Sequence, residues 1–161
     1  MKRFIIAIFL ILSVSGCTFK VNDHKKIPED FNFSLSYGVN GINRIDTFEG
    51  KVVKDLINNG KIEADIVLTR DEMQQIYEKM NELDIMKKFN VKKEKGCGVE
   101  PSNLSKWTIH MNGETNSFYY MSYCDPPKRI IALYELENYI HEMAVNKEEY
   151  KRLPKAEGGY E

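Results

Sequence analysis

The sequence predicts an α+β domain: an antiparallel sheet of about five strands, with two main helices on one face, in the order βββαββα. Three observations predict it. Apolar residues fall at every second position over 31–39 and again from 62 to 68, the period of a half-buried strand. They fall at three- and four-residue spacing over 73–83 and 130–143, the period of an amphipathic helix. Asn-Gly pairs at 40–41, 59–60 and 112–113 supply tight reversals, so no parallel crossover is required.

In the first strand, Phe31, Phe33, Leu35, Tyr37 and Val39 alternate with Asn32, Ser34, Ser36 and Gly38. Asn40-Gly41 suits a type I′ turn, whose central residues both need positive φ. The run "INRIDTFEGKVVKDLI" continues as a second, less regular strand with a bulge expected at Gly50. After Asn59-Gly60, Ile62, Ala64, Ile66 and Leu68 complete a three-stranded meander.

Thr69 with Glu72 three residues later forms a capping box, in which hydroxyl and carboxylate each satisfy an otherwise unpaired backbone N–H. The helix it opens carries Met73, Ile76, Tyr77, Met80 and Leu83 on one face, and Gln74, Glu78 and Glu82 on the other. "NVKKEKGCGVEPSNLSK" has no period and reads as a long loop. "KWTIHM" and "SFYYMSYC" flank Asn112-Gly113 as a hairpin, and a two-residue turn sets Trp107 opposite Phe118. Asp125 is the expected N-cap of the next helix, whose stripe is Leu133, Leu136, Ile140 and Met143 with Ile130 and Tyr134. Asn146 and Glu149 suggest a further cap and a short helix to about Leu153. The single domain is thus expected over 31–153, with 154–161 as a loose tail.

The N-terminus has another organisation. Lys2 and Arg3 precede the apolar run Phe4–Leu12, followed by the small residues Ser13, Ser15 and Gly16, the three-part layout of an export signal. Nine apolar residues fall short of the roughly 20 that span a bilayer. Val14, Ser15 and Gly16 lead straight into Cys17, which resembles the lipobox of bacterial lipoproteins. The resemblance implies cleavage after residue 16, a diacylglycerol thioether on Cys17, and a polar tether over 17–30. It also implies display on the outer face of the cell membrane. The two chains of such a lipid meet the requirement for stable anchoring, which one chain does not. "NGINRIDTFEGKVVKDL", a strand and "LTRDEMQQIYEKM" are also similar to small uncharacterised lipoproteins of Bacillus-like Gram-positive bacteria. That likeness brings no reaction with it.

Loss of residues 1–16 removes Lys2 and Arg3 and no acid, leaving 21 cations against 24 acids, a charge near −3. No basic field for nucleic acid exists. Cys97 and Cys124 remain once Cys17 is lipidated. In an oxidising compartment an even pair suggests a disulfide, which on the chain-entropy estimate stabilises by roughly 3 to 4 kcal/mol. Two free thiols, or a metal site with His110, are the competing readings.

Catalytic signatures are absent from the sequence: no G-x-S-x-G, no phosphate-cradling glycine loop, no H-E-x-x-H. No cofactor is expected. His110 would need a partner carboxylate to act in catalysis, and Asp46, Glu49 and Asp55 could be imagined as a paired-carboxylate site. Alternating charges on an exposed strand also explain those acids. Lys92, Lys93 and Lys95 could touch an anionic surface or simply be solvated. Tyr119, Met121 and Tyr123 share one strand face and form the candidate binding surface, since exposed Tyr and Met are enriched at interfaces. The function this supports is a membrane-anchored module binding a protein or an envelope component, with an envelope hydrolase or its accessory as the alternative, and a protein inhibitor or structural surface protein as a third.

Overall fold

Every strand pairing in the computed structural model, which describes residues 26–88 and 100–161, is antiparallel. The class is α+β, as the sequence predicts. The sheet has six strands: β1 (Asn32–Tyr37), β2 (Asn43–Asp46), β3 (Lys51–Asp55), β4 (Lys61–Asp65), β5 (Leu104–Met111) and β6 (Glu114–Met121), in the spatial order β4-β3-β2-β1-β5-β6. The helices are α1 (Arg70–Glu82), α2 (Lys128–Val145) and the short α3 (Glu148–Lys151). Among the described residues no helix is long and apolar enough to cross a membrane.

The expected second strand is two strands. Asp46 Oδ1 accepts from the N–H groups of Phe48 and Glu49 at 3.0 and 3.3 Å, and Gly50 takes φ +65°, so the chain reverses where a bulge was expected. Only Asn112-Gly113, at φ 52° and 75°, makes the two-residue turn, and it sets Trp107 opposite Phe118. The other two Asn-Gly pairs lie in longer connections, between the pairs Tyr37–Asn43 and Asp55–Lys61.

One face of the sheet is apolar. Phe33, Leu35, Trp107 and Ile109 are fully buried there, with Ile45 and Val52 beside them. Helix α1 brings Ile76, Tyr77 and Met80 to the same core, held at its start by the predicted capping box, with Thr69 N to Glu72 Oε2 at 2.7 Å. Helix α2 brings Ile130, Leu133, Leu136, Ile140 and Ala144. It begins two residues later than expected, with Pro127 rather than Asp125 at the N-cap. The physical reason is that a residue preceding proline is driven out of the helical region, so Pro126 cannot be helical in front of Pro127. Asn146 likewise ends α2 instead of capping α3, whose N-cap is Lys147.

The C-terminal segment is not loose. Ile57, a β-branched residue at φ 59°, forms a bridge with Glu157. Asn58 N donates to Glu157 O at 3.1 Å, Glu157 N donates to Leu56 O at 3.3 Å, and the Tyr160 hydroxyl donates to Asp55. Positive φ disfavours a branched side chain, and the tail clasps the backbone on both sides of that residue. These contacts join positions about a hundred residues apart, which local sequence pattern does not encode.

Burial sets the expected response to substitution. Ile76→Ala should lower stability by about 2 to 5 kcal/mol and Thr69→Ala by about 1 kcal/mol, whereas Val67→Ala, 71% exposed, should change it by less than about 0.5 kcal/mol. Urea unfolding monitored at Trp107 gives all three values; equal losses at 76 and 67 would contradict the assigned core.

Candidate functional site

Two polar residues sit where the period calls for apolar ones. Ser105 alternates with Trp107, Ile109 and Met111 on the inward side of β5, and Glu137 lies among Leu133, Ile140 and Ala144 on the inward side of α2. The fold brings them together: Ser105 Oγ donates to Glu137 Oε2 at 2.6 Å. Tyr120, opposite Ser105 in the sheet, donates its hydroxyl to the same oxygen at 3.3 Å, and Trp107 Nε1 donates to that hydroxyl at 3.3 Å. The result is a hydrogen-bonded chain running from the core to a carboxylate.

That carboxylate lines an open cleft of about 440 Å³ between the ends of β5 and β6 and helix α2. Met121, Tyr123, Tyr134, Asn103 and Asn138 complete most of its wall. One turn along α2 from Glu137, His141 Nδ1 meets the Tyr37 hydroxyl at 2.7 Å, with the rings edge to face at 5.4 Å. Burial pushes the Glu137 carboxyl above its ordinary value, against the lowering effect of the Ser105 and Tyr120 hydroxyls. Burial also pushes the phenols of Tyr37 and Tyr120 up and the His141 imidazole down. All three changes favour uncharged forms, as desolvation requires.

The residues singled out from sequence separate. Tyr119 and Met121 are 56% and 45% exposed on the edge strand β6, on the side away from the helices. Tyr123 follows the end of β6, and its side chain packs partly buried against the core. The strand alternation that grouped it with Tyr119 stops at Met121. Its backbone hydrogen-bonds the Tyr134 hydroxyl, which anchors the cleft wall. Met121 and Tyr123 therefore border the cleft, and Tyr119 stands outside it.

His110 does have a carboxylate neighbour: Nε2 lies 3.4 Å from Asp30 Oδ2, and Nδ1 lies 2.8 Å from Thr115 Oγ1. Asp30 also accepts from the backbone N–H groups of Asn112 and Gly113, at 2.9 and 2.6 Å, which hold its pKa down. The cluster fastens the segment before β1 to the β5–β6 turn. Asp46, Glu49 and Asp55 do not converge on a site. Asp46 caps its turn and meets Arg44 at 3.7 Å, Glu49 meets Arg44 at 3.8 Å, and Asp55 accepts from Ile57 N and from Tyr160. A second groove, of about 580 Å³, lies on the open sheet face under Tyr160, but its Glu63 is already paired with Lys51 at 2.6 Å.

Cys124 is disulfide-bonded. Cys17 and Cys97 lie outside the described residues, as do Lys92, Lys93 and Lys95. No protein family matches the chain, and no curated protein matches it.

Sequence reading passed over Ser105 and Glu137. The available signal was the interruption of an apolar period by one polar residue on each element. Glu137 makes a prediction about stability. Between its ordinary pKa and its raised folded value, the folded chain holds more protons than the unfolded chain, so stability falls as pH rises through that window. Glutamine abolishes this loss. His141 works in the opposite sense, losing stability as pH falls through its unfolded value, but it is common to both proteins. The melting temperature of Glu137→Gln minus that of wild type should therefore increase from about pH 4 to about pH 8. A difference that does not vary with pH would show that the carboxyl titrates normally.

Proposed function

We propose that the protein is a lipid-anchored binding module on the outer face of a bacterial cell membrane, which takes its ligand or partner in the cleft between β6 and α2. The lipobox-like run Val14-Ser15-Gly16-Cys17 supports the anchor. A disulfide between Cys97 and Cys124 belongs to the same reading, since it suits an exported chain.

The observation that carries the binding reading is the partly buried carboxylate at an open cleft, with one oxygen held by two hydroxyls. Burying such a group is unfavourable for stability, and functional sites are where such groups concentrate. Position agrees with this. The described chain enters the sheet beside the β5–β6 turn, while the cleft opens where β1 ends and β5 begins. An anchor on the N-terminal side would leave the cleft facing away from the membrane.

A hydrolase is the second reading, and one observation favours it: His110 lies between a carboxylate and a hydroxyl. Neither groove described above includes His110, and both of its ring nitrogens already have neighbours. The binding reading is therefore preferred.

Cys17→Ala should move the protein from the membrane fraction to the soluble one, and mass spectrometry of the mature N-terminus should show the diacylglyceryl group only in wild type. With a photo-crosslinker at Ser122 on intact cells, Tyr123→Ala and Met121→Ala should reduce adduct yield, while Tyr119→Ala and His110→Ala should leave it unchanged. A loss confined to Tyr119→Ala would place the contact on the open sheet face; hydrolytic activity lost on His110→Ala, with the fold intact, would favour the enzyme.

A further inference from the structure

The cleft's chemistry names the kind of group it can hold. Both hydroxyl donors fall on Glu137 Oε2, and among the described residues no hydrogen bond reaches Oε1. Among the described residues no fully buried side-chain oxygen is left without a partner, so Oε1 is accessible on the cleft that Glu137 lines. Among the described residues no lysine or arginine lines the cleft, and Glu137 takes part in none of their ion pairs. The imidazole one turn along α2 is kept neutral by burial and is engaged with Tyr37. Among the described residues this partly buried carboxylate therefore has no cationic partner, a condition that costs more the less water reaches the charge.

The rest of the wall suits a cation with hydrogens to donate. Asn103, Asn138 and Ser122 present amide and hydroxyl oxygens, and Tyr123 and Tyr134 present aromatic rings that attract a cation over their faces. An anion could take the amide and hydroxyl donors but would meet the carboxylate's repulsion, and a neutral polyol would leave the charge uncompensated.

We infer that this cleft binds a primary ammonium group, with Oε1 of Glu137 as its ion partner and the rings of Tyr123 and Tyr134 packed against the attached methylenes. The inference rests on the binding reading and deepens it. The ammonium could belong to a free small amine or to a lysine side chain of a protein, and the two are separable by experiment.

Calorimetric titration of the purified full-length chain would use two pairs of probes. Ethanolamine is compared with ethylene glycol, and Nα-acetyl-lysine methylamide with its norleucine counterpart. At least one amine should bind roughly tenfold or more tighter than its uncharged partner, and Glu137→Gln, melting cooperatively, should remove that difference. Tyr123→Leu, which keeps the carboxylate, should weaken the amine several-fold while preserving the preference. The tighter amine identifies the source. Equal binding of charged and uncharged probes, or amine binding unaffected by Glu137→Gln, overturns the assignment. Should neither amine bind while Tyr123→Ala still lowers crosslinking on cells, the ammonium assignment fails and the binding module stands; loss of both results removes the cleft altogether.

Discussion

The antiparallel seam between β1 and β5 is the constraint on which the rest depends. It joins the meander β1–β4 to the hairpin β5–β6 across roughly seventy intervening residues, through pairs from Asn32–His110 to Ser36–Lys106. Closing so long a loop is entropically unfavourable. Phe33, Leu35, Trp107 and Ile109, all fully buried on this seam, supply the offsetting apolar burial. Without it, neither half would present an inward face wide enough for two helices. β1 is the first strand in sequence yet interior in the sheet, with β2 on one flank and the last hairpin on the other.

The second constraint is how α2 lies on that sheet. Its apolar stripe sets the rotation of the helix, and that rotation leaves Glu137 and His141 facing the sheet as well. Hydroxyls of Ser105, Tyr120 and Tyr37 meet them, and among the described residues no fully buried side-chain polar atom is left unpaired. Cross-helix contacts fix the other end of the layer: Tyr139 to Gln75 at 2.5 Å, Lys79 over the Tyr139 ring at 4.4 Å, and Lys147 to Glu72 at 2.6 Å. The packing of α1 and α2 thus holds the cleft wall in place without contributing to its chemistry.

Much of the fold was legible because it rests on local patterns. The period of Met73 to Leu83 gave α1, Thr69 with Glu72 gave its cap, and a two-residue turn at Asn112-Gly113 gave the last hairpin its register. The turn at Gly50 was not, because "IDTFEG" reads equally as an irregular strand until the Asp46 carboxylate is seen capping two N–H groups. The cleft was illegible for a different reason. A single Glu in an apolar stripe is compatible with a helix border, and only the meeting of two distant elements shows that its carboxyl is enclosed. The tail was missed for the same cause, since Glu157 and Tyr160 act on residues 55–58. Tyr123 was misplaced because strand alternation was carried two residues past the strand.

The Asp30 clasp has a mechanical meaning. It fastens the chain leading into β1 to the turn at Asn112-Gly113, so tension arriving from the N-terminal side is delivered at the start of a strand that is paired along both flanks. Antiparallel hydrogen bonds run perpendicular to the strand, and a pull along β1 loads them in shear, many at once, rather than peeling them one by one. Force applied at that side would thus be shared across the flanking pairs of β1, while the opposite end of the sheet lies off its path.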